Sequence, residues 1–406
     1  MEPEKQPRPS CNGSGPVLVA LVCVALLLCG TSLPVLSSPA DSTAVIAPAA
    51  APDTEAAEPK QSTNQSQLFP PKMALGRLYV LPLVSYADER GFGVGGEFLF
   101  PFRLSGNSPE SHPSELRARA QVTFKGQTQL DLASTVYWKD GTHVLRARVS
   151  HRDTAERFYG IGPDTPQSNE EVYRPHRFQA YVEGFHNVLP YFRAGVRVEM
   201  EFFEFLERVP GGLLQAPVYS SSSGEKVIGA GFVLEWDRRD QRYAPSHGYY
   251  YQAFGMLFDD ALGSDFDFTN FNVDLRNYFT IKPQHVLATQ VFLYGTTDSP
   301  PFWRLASLGG RAHSRGYRRD RYLDEVLFAV QAEYRAPVLW RLSLTGFGGT
   351  AAVAPQISKF RYDTLRPTLG IGLNVHYRKN HAIVARFDTA LGQEGVRFGL
   401  AINESF

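Results

Sequence analysis

From Leu75 to the C-terminus, apolar and polar residues alternate at a period of two. Leu116, Ala118, Ala120, Val122 and Phe124 alternate with Arg117, Arg119, Gln121 and Thr123. Phe192, Ala194, Val196, Val198, Met200 and Phe202 alternate with Arg193, Gly195, Arg197, Glu199 and Glu201. The same rhythm runs from Phe328 to Arg335 and from Leu369 to Arg378. Successive side chains of a strand point to opposite faces, so each segment has one apolar and one polar face. No long stretch repeats at 3.6 residues. A soluble sandwich also alternates, but its polar face need not carry so many arginines. Here the apolar face is nearly uninterrupted, as a surface in hydrocarbon must be.

Sixteen such segments can be counted, starting near residues 76, 91, 114, 128, 142, 176, 190, 226, 247, 266, 284, 324, 340, 365, 381 and 395. They predict an all-β fold, a 16-stranded antiparallel transmembrane β-barrel over residues 75–406. Roughly 20 residues per strand and connection leave the ~10 needed to cross a membrane. Connections give an internal check, because one rim of such a barrel carries short turns and the other long loops. If the first strand enters at the short-turn rim, long connections at about 152–175, 206–225, 298–323 and 353–364 all follow odd strands. Lys139-Asp140-Gly141, Ile281-Lys282-Pro283-Gln284 and Arg378-Lys379-Asn380 are short and follow even strands. The connections at 104–113 and 238–246 are longer than this rule expects.

The last strand is the most telling. Val396, Phe398, Leu400, Ile402 and Phe406 share one face, and Arg397, Gly399, Ala401, Asn403 and Ser405 the other. Glu404 interrupts the apolar row and suits the interface. An outward apolar row closed by a terminal aromatic is the form that the barrel assembly machinery of Gram-negative bacteria recognises. Phe398, Leu400, Ile402 and Phe406 are therefore the expected assembly signal, and the bacterial outer membrane is the expected location.

Upstream, Lys5 and Arg8 precede an apolar run from Pro16 to Cys29, and Ser38-Pro39-Ala40 offers a cleavage site. Residues 1–40 read as a signal peptide. Residues 41–74, rich in Ala, Pro, Ser, Thr and Gln, read as a flexible linker. Cys11, Cys23 and Cys29 are the chain's three cysteines, so the mature protein is expected to hold no disulfide and no thiolate metal site.

The remaining chemistry is sparse. Lys+Arg and Asp+Glu both number 41, so nothing in the net charge calls for nucleic acid. Gly91, Gly93 and Gly96 match a dinucleotide fingerprint, but they open a strand and no helix follows. His247, His313 and His376 fall on separate connections and strands, and the mature chain has no nucleophile elbow. No catalytic residue, cofactor or metal is expected, and the protein does not read as an enzyme.

Four segments go beyond a generic barrel. They are Phe158–Gly162 (FYGIG), Asp237–Tyr250 (DRRDQRYAPSHGYY), Leu308–Tyr317 (LGGRAHSRGY) and Glu333-Tyr334-Arg335. Together they resemble the barrel of the bacterial surface antigen family, the superfamily of BamA, TamA and the two-partner secretion transporters. Arg315-Gly316-Tyr317 in the sixth long loop, followed by Glu333-Tyr334-Arg335 on strand twelve, is the specific element. In that family the arginine of RGY folds back into the lumen. The resemblance thus implies that Arg315 meets Glu333 and Asp388, the latter within Arg386-Phe387-Asp388. Arg318 and Arg319, by contrast, read as solvated loop residues. The family often carries F-x-D-x-G on strand thirteen, and this chain has Phe347-Gly348-Gly349-Thr350-Ala351 there. About 35 residues separate the leader from Leu75, so the resemblance is to a branch without POTRA domains.

What the resemblance implies is insertion or translocation of polypeptide, or of lipid, at the outer membrane. A seam between the first and last strands would open laterally, helped by Pro82 on strand one, which cannot donate a ladder hydrogen bond. The alternative is a passive channel or surface antigen with no assembly role. Expected partners are outer-membrane lipid, the barrel assembly machinery during biogenesis and a separate periplasmic subunit at Asp237–His247. A monomeric barrel that binds no nucleic acid is expected.

Overall fold

The computed structural model describes residues 78–87, 89–105, 107–109, 111–216, 224–242, 244–339, 341–376 and 384–402. The leader, the linker, the cysteines and Phe406 lie outside the described residues. The chain divides into residues 1–64 and 65–406, and all that follows concerns the second unit.

Sixteen long strands follow one another: β1 (Tyr79–Ala87), β2 (Gly91–Phe102), β3 (Ser114–Thr123), β4 (Thr128–Trp138), β5 (His143–Asp153), β6 (Glu171–Leu189), β7 (Phe192–Glu207), β8 (Glu225–Asp237), β9 (Gly248–Phe258), β10 (Phe268–Lys282), β11 (His285–Thr297), β12 (Val326–Leu339), β13 (Leu342–Ala354), β14 (Arg366–His376), β15 (Val384–Gly392) and β16 (Gly395–Ile402). Each pairs antiparallel with the next. A β1–β16 pairing is not seen among the described residues. Three short strands, Glu156–Phe158, Ala306–Leu308 and Tyr322–Asp324, sit in the long connections.

The molecule is apolar outside and polar inside. Phe232, Leu369, Ile371 and Phe398 are 67–84 % exposed on the outer face. Glu201, Glu235, Glu333, Asn374 and Arg386 are almost fully buried on the inner one. This inversion is what a barrel in hydrocarbon needs, with backbone groups satisfied between strands. Phe192, Trp236, Tyr249 and Tyr251 stack edge to face and in parallel at the short-turn ends of β7–β9, an aromatic girdle.

The observed starts follow the alternation closely, with one informative exception. β6 begins at Glu171 rather than near 176, and Glu156–Phe158 pairs with its first residues. Part of the expected 152–175 loop is therefore sheet. It packs Phe158 and Tyr173 with Phe203, Leu214, Phe302 and Leu323. The long connection 238–247 is also more than a turn. Asp240 accepts bonds from the backbone of Ser246 and His247, and the segment folds back toward the lumen.

Candidate functional site

The longest connection, between β11 and β12, enters the barrel. Ala306–Leu308 pairs with Tyr322–Asp324 to form the neck of a hairpin whose tip carries Arg315-Gly316-Tyr317. Gly309 (φ +118°) opens the tip, where a side chain would collide with the Arg318 carbonyl.

Each residue of the triplet has a distinct contact. The Arg315 side chain is 3 % exposed. Its Nη1 donates to Glu333 Oε2 at 2.7 Å and lies 3.7 Å from Asp388 Oδ2. Its guanidinium sits 3.4 Å from the centroid of the Phe347 ring, so the family's missing strand-thirteen acid coexists here with a ring under the arginine. Arg335 Nε donates to Glu333 at 2.9 Å, and Arg386 Nη2 reaches Asp388 at 2.8 Å and Nη1 reaches Glu333 at 3.7 Å. Three guanidinium groups thus share two carboxylates. Burial lowers the pKa of Arg315, and the Glu333 carboxylate opposes that fall.

Gly316 is a contact made by absence. A Cβ there would lie 2.8 Å from the Gly392 nitrogen and the Leu391 carbonyl, so only glycine lets the tip lie against β15. The Tyr317 hydroxyl accepts from the Gln393 amide at 3.2 Å and donates to the Pro367 carbonyl at 3.2 Å. Arg321 binds Glu394 and the Thr165 carbonyl. The tip is therefore docked on β12–β15 and on the hairpin that joins the last two strands.

A second anchor lies on the opposite wall, and sequence reasoning missed it. Phe302-Trp303-Arg304 precedes the neck. Arg304 binds Glu199 and donates to Glu201 Oε2 at 2.9 Å. Trp303 stacks on Phe203 at 4.2 Å with planes 3° apart. The available signal was two aromatics and an arginine in an otherwise polar loop, facing the two inward glutamates of β7. Arg318 also departs from expectation. It is not merely solvated, because its Nη1 reaches Glu170 Oε1 at 3.2 Å.

The tip also touches the barrel floor. Gln331 donates to the Ala312 carbonyl at 2.7 Å, and His313 stacks on Phe292 at 3.8 Å. From the other rim, the Pro245 carbonyl accepts from Arg335 Nη1 at 3.2 Å. Glu333 is thus one bond from the long loop and two from the 238–247 turn.

His313 supplies a pH prediction. Burial pushes its pKa down from 6.5 to about 4. A released, solvated imidazole takes a proton more readily, so docking is fully stabilised above 6.5 and weakens as pH falls toward 4. Protease cleavage of the tip should rise over that window, and His313→Phe should flatten the rise. A flat wild-type profile would show that His313 does not leave its site on release.

On the last strand, Val396 and Phe398 point outward, while Leu400 and Ile402 pair through their backbones with Phe387 and Ala385. The side chains of Leu400 and Ile402 lie outside the described residues, as does Phe406.

Residues 220–391 match the model of the Omp85 superfamily domain. Among solved structures, BamA from Haemophilus ducreyi lacking POTRA domains 1–3 is similar at 14% identity and a TM-score of 0.52, covering 81% of this chain and 69% of that one. CdiB from Acinetobacter baumannii is similar at 10% identity and 0.51, covering 80% of this chain and 59% of that one. CdiB from Escherichia coli is similar at 9% identity and 0.51, covering 80% and 61%. The chain thus spans about three-fifths of either CdiB. No curated protein matches in sequence.

Proposed function

We propose that the protein, an outer-membrane β-barrel similar in fold to that of BamA, assists insertion or translocation of polypeptide, or of lipid, at the outer membrane. The observation that carries this reading is the docking of Arg315, Gly316 and Tyr317 on β12–β15 and the last hairpin. A loop held there braces the C-terminal wall beside the strand that must part from β1. β1 carries Pro82, opposite Gly96 of β2, so one ladder donor is missing close to that edge. Phe398, Leu400, Ile402 and Phe406 act as the assembly signal, after a leader of residues 1–40 and a linker of 41–74. A separate periplasmic subunit binds Asp237–His247, where the turn connects through Pro245 to Arg335.

A passive channel is less well supported, because the hairpin tip and the 238–247 turn both project into the lumen. Reconstitution separates the two readings. Liposomes containing the folded protein should accelerate insertion of an unfolded client barrel several-fold over empty liposomes, with little steady ion conductance. Conductance without accelerated insertion would favour the static channel instead.

A further inference from the structure

On the outer face, at the short-turn rim, two histidines meet that neither the latch nor the seam uses. His143 opens β5, and His186 stands opposite it near the end of β6. The Asn187 amide donates to the Thr142 carbonyl, so 142–187 is the hydrogen-bonded pair next to them. His143 and His186 are therefore a non-bonded pair, the kind whose side chains stand closest in an antiparallel ladder. Val144 and Phe185, one residue further along, are buried together on the inner side, so both imidazoles face outward. Their Nδ1 atoms are 3.3 Å apart. His186 is exposed, as are Lys139 and Asp140 in the adjoining turn, so water and solutes reach the pair.

Two imidazole nitrogens, each ~2.0–2.1 Å from one zinc ion at the tetrahedral angle, stand about 3.3–3.4 Å apart. The Nδ1 atoms already have that separation. It is long for a hydrogen bond, so little energy holds a proton between the rings. Each ring can carry its proton on Nε2 instead, which turns both Nδ1 lone pairs toward a shared ion. The frame around them is fixed. The Trp138 ring stacks on His143 at 5.3 Å, and Asn187 Nδ2 donates to the Gly141 carbonyl at 2.9 Å. At the far end of the same two strands, the rings of His151 and His176 are equally close, with centroids 4.9 Å apart in both pairs. They meet edge to face, and no nitrogen contact joins them among the described residues. We infer that His143 and His186 bind one divalent transition-metal ion of the class that prefers imidazole, zinc or copper(II), with water completing its coordination. The two lie 43 residues apart in the chain, so no local spacing reveals them. The inference stands independently of the assembly role.

Isothermal titration of the folded full-length protein in detergent tests it, with no affinity tag and with the three cysteines alkylated. The probes are zinc, copper(II) and magnesium chlorides. Zinc and copper(II) should each saturate one site, copper(II) the more tightly. Magnesium takes oxygen ligands and should not compete for it. His143→Ala and His186→Ala should each weaken binding at least tenfold, while His151→Ala should leave it unchanged. The electron paramagnetic resonance spectrum of bound copper(II) should show coupling to two imidazole nitrogens, and to one in either variant. Heat-dependent gel mobility reports whether each variant is folded, and one folded variant of the pair suffices. If neither zinc nor copper(II) saturates a site in the unaltered protein, the proposal is overturned without any variant. Unchanged affinity in folded His143→Ala or His186→Ala overturns it as well. So does an equal loss in His151→Ala, which would move the ion to another histidine, or displacement of the ion by magnesium, which would make this a carboxylate site.

Discussion

Replacing Arg315 with alanine should free the hairpin tip while the sixteen strands stay assembled. The substitution removes a charge-assisted bond to Glu333, a second electrostatic contact with Asp388 and a ring contact with Phe347. An isolated buried ion pair broken this way costs ~3–5 kcal/mol. Here Glu333 keeps Arg335, and Asp388 keeps Arg386, so neither carboxylate is left alone. A loss of ~2–3 kcal/mol is the better expectation, which shifts the docked-to-released ratio by roughly 30- to 150-fold. The strands gain nothing from the tip that their own ladders do not supply, so heat-dependent gel mobility should persist. Arg318→Ala should do far less. Its pair with Glu170 is partly exposed, and such pairs are worth ~0–1 kcal/mol. Arg319, half exposed beside Asp320, should do least. Tip cleavage by protease added from outside, compared across the three variants, reads this order directly. Equal sensitivity would mean that Arg315 does not hold the loop.

The strands were legible because every inward or outward position answers to a single environment for the whole height of the membrane. Leu369, Ile371 and Leu373 face outward, and Thr368, Gly372 and Asn374 inward, with no buried second layer to blur the period. Arg315 was legible for a different reason, since its partners came from a resemblance and not from spacing. Periodicity has nothing to say about a loop that turns back into its own barrel.

That limit explains the misses. Arg304 meets Glu199 and Glu201 across about a hundred residues of chain, and no local pattern joins them. Glu171–Arg174 continues β6 beyond the apolar band, where alternation stops reporting burial and Tyr173 is covered by loop aromatics instead. The excess length of 238–246 was visible as an exception to the turn rule. Its cause was not, because the Pro245 carbonyl that accepts from Arg335 is a backbone group, and any residue type offers one.

The larger effect is expected at Glu333, where the two rims of the barrel meet. Glu333→Gln keeps the shape and removes the charge. Arg315, Arg335 and Arg386 then all lose the Glu333 charge, Asp388 is left to Arg315 and Arg386, and the new amide turns a donor toward guanidinium groups that can only donate. Withdrawing one carboxylate charge from three cations in a confined lumen should cost more than losing Arg315, on the order of 3–5 kcal/mol. The consequence should also reach further. Arg335 no longer has Glu333 to fix its fork, so its bond to the Pro245 carbonyl loosens, and the 238–247 turn should open together with the hairpin tip. Arg315→Ala leaves the Arg335–Glu333 bond in place and should open the tip alone. Amide hydrogen exchange in the two segments distinguishes these outcomes. Faster exchange at both in Glu333→Gln, and only at the tip in Arg315→Ala, is the expected pattern. Glu333→Asp keeps the charge on a shorter arm and should fall between them. An unchanged turn in Glu333→Gln would mean that the bond through Arg335 transmits nothing, and that the two rims are held independently.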